Sequence, residues 1–80
     1  MHPLKDRYVV ALAANYIYVG TLEDITPDRV VLRDPSIVYE TGQWDAADWK
    51  DAQRLPTNRV HLERSAVESL FEVIRDARKR

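Results

Sequence analysis

Between Asn15 and Thr26 the chain reads Tyr-Ile-Tyr-Val-Gly-Thr-Leu-Glu-Asp-Ile, an extended run broken once, by Gly20. Glycine inside a strand gives up packing and costs conformational entropy, so it needs a reason. Only one other glycine, Gly42, occurs in all 80 residues. Alternation places Tyr16, Tyr18, Gly20 and Leu22 on one face and Ile17, Val19 and Thr21 on the other, both largely apolar around the glycine. A strand that buries parts of both faces is easier to build if it curves, and glycine permits the curvature. A long, sharply bent strand at residues 16–26 is therefore the first expectation.

The flanking segments supply its neighbours. Tyr8 to Ala13 is β-rich, and Ala14-Asn15 makes a tight turn in which Asn15 tolerates the left-handed conformation. Thr26-Pro27-Asp28-Arg29 is a second turn signal, proline presetting φ and Asp capping the backbone. A strand at Arg29–Arg33 follows, then Asp34-Pro35 interrupts and residues 36–41 resume, as one kinked strand or two short ones. Residues 42–58 are polar and lack a strand period; within them residues 45–52 suggest a short helix begun by an Asp cap. Val60 and Leu62 alternate with His61 and Glu63 in a further strand at residues 59–64. Val67, Leu70, Phe71 and Ile74 fit a helical stripe, while Val73 and the β-branched content allow a strand. The expectation is one all-β domain over residues 1–80: a small, strongly bent, five-stranded antiparallel barrel. It has a long loop at 42–58 before strand four, and residues 67–74 end as a strand or a short terminal helix.

Composition narrows the function classes. Apolar residues make up 45% and charged residues 31%, the balance of a folded soluble domain. Eighty residues give a thin core, which self-association would help. There is no cysteine, hence no disulfide and no thiolate chemistry. No stretch reaches the length of a signal peptide or a membrane span, so a cytoplasmic location is expected. Twelve basic residues stand against thirteen acidic ones, a poor match to a strong nonspecific nucleic-acid binder. Residues 1–40 carry four basic and six acidic groups, and residues 59–80 six basic and four acidic, so an anionic partner would favour the C-terminal part and the basic tail at 75–80.

The order of elements, with Val10 and Leu12, the turn at Asn15, Tyr18, Gly20-Thr21-Leu22 and Val30-Val31-Leu32, resembles the first motif of the Sm-like (LSm) family. The spacing from Gly20 to Val30 is that of the bacterial Hfq proteins. Residues 64–69, Arg-Ser-Ala-Val-Glu-Ser, are similar to the Lys-His-Ala-Ile-Ser-Thr run of Hfq. Small phage and bacterial proteins of unassigned role share the Val-Gly strand, an Ile-Val run near a Trp and a closing Ala-Val segment. The resemblance implies a bent five-stranded barrel and a homo-oligomeric ring, formed by pairing the fourth strand of one copy with the fifth of the next. It also implies RNA contacts from the loops between strands two and three and between strands four and five. Those positions are Thr26, Pro27, Asp28 and Arg29, and Arg64 and Ser65. This chain departs from the family there: it has no aromatic on which a base would stack, and Asp28 adds a negative charge per subunit.

The remaining residue types are read against simpler roles. Arg29 and Arg64 either form rings of positive charge by symmetry or pair with Asp28 and Glu63 at the surface. Trp44 and Trp49 either pack the 42–58 loop onto the barrel, the preferred reading, or face a protein partner. Asp45, Asp48 and Asp51 share helical spacing but lack the glycine and bidentate Glu of a calcium loop, so a solvated face is expected and no metal. His61 should point away from the core, and His2 has no nucleophile partner in sequence, so no enzyme activity and no cofactor are expected. Two functions follow. One is a homo-oligomeric Sm-like ring that binds RNA weakly through its pore loops. The other is a structural or protein-interaction ring without nucleic acid.

Overall fold

The computed structural model describes residues 2–73. Six antiparallel strands form one sheet: β1 (Tyr8–Ala13), β2 (Ile17–Ile25), β3 (Arg29–Glu40), β4 (Asp51–Arg54), β5 (Arg59–Glu63) and β6 (Val67–Glu72). The order across the sheet is β4-β3-β2-β1-β6, and β5 also pairs with β3. A 3-10 turn, Arg64–Ala66, links β5 to β6. No ladder joins β5 to β6 among the described residues.

Gly20 sits at the bend. Val19 pairs with Ser36 and Thr21 with Arg33, so the single Gly20 lies across from two residues of β3, Asp34 and Pro35. This is a β-bulge on β3, with Asp34 at φ 48° and Pro35 fully buried. A Cβ on Gly20 would stand 2.7 Å from the Arg33 carbonyl oxygen and 3.2 Å from Leu32 Cβ. The glycine is required by the close approach of the kinked neighbour, and the kink in turn is built from Asp34-Pro35.

The same kink explains the strand count. β3 runs through Asp34-Pro35 as one strand, but the strand beside it does not. Ser36 pairs with Arg54 at the end of β4, and Arg33 pairs with Arg59 at the start of β5. The link between them is fastened to the bulge, Leu55 N donating to Pro35 O at 2.9 Å and Asp34 N to Asn58 O at 2.9 Å. Six strands replace the expected five because the partner of a kinked strand is broken at the kink. The segment 42–58 is therefore not all loop. The short helix expected at 45–52 is absent: residues 51–52 begin β4, whose backbone groups complete the ladder with Val38 and Glu40. At the other end residues 67–72 are strand, not helix. The part of that stripe at Ile74, and the basic tail at 75–80, lie outside the described residues.

Both faces of the sheet are covered. On one, Val9, Ala11, Leu22, Val30, Leu32 and Leu62 form a buried cluster, flanked by Leu4, Tyr18, Ile25, Val60, Val67 and Leu70. On the other, Val10, Val19 and Val38 are covered by Trp49, with Tyr8, Leu12, Ile17, Phe71 and Val73 around them. Strict alternation along β1, with Val9 and Ala11 facing one way and Val10 the other, feeds the two clusters.

Candidate functional site

The turn between β2 and β3 is tied by its own residues. The Thr26 hydroxyl accepts from the backbone N–H of Asp28 and of Arg29, each at 3.1 Å, and Thr26 N donates to Arg29 O at 2.9 Å. This is the local side-chain-to-backbone bonding that makes Thr a turn residue.

The 3-10 turn docks on it. Arg64 N donates to Asp28 O at 2.9 Å, and the Arg64 guanidinium donates to Thr26 O at 2.7 Å. Arg29 pairs in register with Glu63. Thr26, Asp28, Arg29 and Arg64 thus come together from two turns far apart in sequence, with Ser65 exposed beside them. Thr26, the Asp28 and Arg29 backbone and Arg64 are engaged in shaping and joining the turns. Next to them, a cleft of about 210 Å³ runs between Ile25, Val30, Arg64, Val67 and Glu68. Arg64 and Glu68 both line it, so the cleft has no clear preference for an anion.

Along the outer face of β5 lies a charged network that single-residue reasoning missed. Glu23 accepts from Arg59 and pairs with Arg33 at 3.7 Å, and Arg33 reaches Asp6 at 3.6 Å. The Arg59 hydrogen bond holds the Glu23 carboxyl below its usual range, opposed by partial burial and aided by the charges of Arg59, Arg33 and Lys5. The sequence signal was there, since Arg33 and Arg59 are cross-strand partners and Glu23 lies one strand over, but reading it requires the register. His61 is exposed on the same strand.

Trp49 packs inward and Trp44 over it. Trp49 is buried, and its indole N–H donates to the Tyr8 hydroxyl at 2.9 Å. Trp44, about half exposed, meets Trp49 edge-on at 5.7 Å between ring centres and Phe71 at 6.0 Å. The packing role holds for Trp49; Trp44 both packs and presents a ring edge outward. Asp45, Asp48 and Asp51 do not share a helix face, because no helix forms there. Among the described residues no three His, Asp or Glu side chains gather as a metal site would require, and no helix is long and apolar enough to cross a membrane.

With this geometry in hand, comparison with family models, with curated proteins and with solved structures finds no significant match.

Proposed function

We propose that the chain is a self-assembling module of the Sm-like type, whose bent sheet closes into a barrel through the 3-10 turn and whose copies join edge to edge into a ring. The observation that carries this reading is the pair of open edges. β5 has β3 on one side and β6 has β1, and neither has a second partner strand among the described residues. A strand edge left with free N–H and C=O groups is a template for another strand. Polar side chains line both edges, with Arg59, His61 and Glu63 exposed on β5 and Glu68, Ser69 and Glu72 on β6, so the backbone groups rather than side-chain charge would carry the pairing. The role of such a ring is taken to be protein assembly, because Thr26 and Arg64, which would contact RNA in the family, are committed to holding two turns together.

A second reading keeps RNA as a partner. It is favoured by the convergence of Arg29 and Arg64 at one point on each subunit, which symmetry would multiply around a pore. The absence of a stacking ring in that turn argues for weak, sequence-indifferent contact at most.

The test is the solution mass by light scattering, followed by titration of a labelled single-stranded RNA into the same sample at low and moderate salt. A ring-sized mass with no RNA binding is the expected result. A ring whose RNA binding falls steeply with salt would establish the second reading. A monomer at all concentrations would overturn both.

A further inference from the structure

The turn end of the β1–β2 hairpin has a different chemistry from the rest of the surface. There an open cleft of about 370 Å³ is lined by residues 13–17 and by Val38 and Tyr39. None of these residues is charged, in a chain with 31% charged residues. Ile17 pairs with Val38, and the next residues outward on the two strands are Tyr16 and Tyr39. They are 49% and 57% exposed, two of the three large hydrophobic side chains left open to solvent among the described residues. Tyr16 does not wave freely, because the Tyr18 ring braces it edge-on at 6.0 Å between centres. Tyr18 is in turn packed against the first buried cluster.

The electrostatics of the cleft favour one sign. The face of an aromatic ring carries negative charge and attracts a cation held within about 6 Å of its centre. The lining holds no Lys, Arg or His to repel one. The charged groups next along the ladder are Glu40 and its cross-strand partner Asp51. Lys50 pairs with Glu40 at 3.1 Å, which leaves one net negative charge from the three beside the cleft. A phosphate backbone meets nothing here to bind it. A small inorganic cation would have to surrender its water with no carboxylate in the lining to replace it. A soft organic cation, whose charge is spread over methyl groups, loses little hydration and gains both apolar contact and ring attraction.

We propose that this cleft is a binding site for a quaternary or methylated ammonium group, held against the Tyr16 and Tyr39 rings. The site belongs to each copy of the chain and stands whether or not copies assemble.

Amide chemical shifts of the full chain, followed during titration with choline, test it. A parallel titration uses 3,3-dimethylbutan-1-ol, the same shape with carbon in place of the charged nitrogen. Choline should shift residues 14–17 and 38–40 saturably, with the alcohol roughly tenfold weaker or worse. Tyr16→Ala and Tyr39→Ala should each weaken choline binding by a similar factor, while Tyr16→Phe and Tyr39→Phe, which keep the ring, retain it. Both positions are exposed, and the Phe variants show whether any loss reflects the ring or the fold. Equal binding of choline and the alcohol would overturn the proposal, since the cleft would then be merely apolar. No saturable shift, shifts centred elsewhere, or full binding by Tyr39→Ala would overturn it as well.

Discussion

The two faces of the sheet are buried by different means. The first is covered by the sheet itself: Val9 and Ala11 from β1, Leu22 from β2, Val30 and Leu32 from β3 and Leu62 from β5 curl around one another. The second is covered by a connection. Val10, Val19 and Val38 would face water if the segment after β3 did not fold back and lay Trp49 over them. Three valines provide little apolar area, so one indole supplies much of the cover on that side. The chain, with its thin core, thereby buries both sides of a sheet with no α-helix among the described residues, and the cost is that one face depends heavily on one side chain.

The sharpest way to break this comparison is Trp49→Ala. Removing a buried indole should cost about 3–5 kcal/mol, since the transfer and cavity terms add. Urea unfolding measures it, and a loss below roughly 1 kcal/mol would mean the 41–50 segment is not a cover at all. Leu22→Ala on the first face should cost about 2–5 kcal/mol, so the two faces are expected to be comparably essential despite their different construction. Gly20→Ala comes next. Its methyl group would meet the Arg33 carbonyl oxygen at 2.7 Å, and backbone is slow to yield, so a loss of about 1–3 kcal/mol is expected. If this variant were as stable as the parent, the bend would not depend on the close crossing of β2 and β3.

What the sequence could and could not convey follows the same division. The strands of the first face carry their own alternation, and Gly20 and Asp34-Pro35 announce the bend before any coordinate is seen. β4 does not. All four of its residues, Asp51 to Arg54, are exposed, so no hydrophobic period marks it, and it exists because β3 offers an edge beyond its kink. Its first two residues also end the stretch 45–52 that reads as helix on local grounds, with an Asp cap and alanines, and pairing overrides that weak preference. β6 was ambiguous for another reason. Its neighbours Leu70 and Phe71 go to opposite faces, Leu70 to the first cluster and Phe71 to the second, and two covered faces put apolar residues side by side as a helix would. At the candidate site the β2–β3 turn was legible from Thr26, Pro27 and Asp28. The docking of Arg64 on that turn was not, because a contact 38 residues apart leaves no local pattern; only the family likeness set the two loops together.

A smaller effect sharpens the account of the second face. Tyr8→Phe keeps the ring and removes the hydroxyl that accepts the Trp49 N–H, leaving a part-buried donor without that acceptor. A loss of about 0.5–1.5 kcal/mol is expected. A neutral result would mean that apolar contact alone orients the indole.

The smallest expected effect lies on the side of β2, β3 and β5 turned away from the first cluster, where charge rather than burial acts. Glu23 is held below the usual carboxylate range chiefly by the Arg59 hydrogen bond. A group whose folded-state pKa is depressed contributes stability above its unfolded value and loses it as pH falls through the folded one. Stability should therefore decline on acidification through the carboxylate range, and Glu23→Gln should flatten part of that decline while changing little at neutral pH. Salt should shrink the difference between the two proteins, because the groups are solvent-exposed and screened. Parallel acid titrations followed by thermal unfolding read this out directly. Identical pH profiles for parent and variant would show that the β2–β3–β5 charges merely coexist on the surface. The distinction between the two faces would then rest on the apolar residues alone, strands curling over one and Trp49 lying over the other.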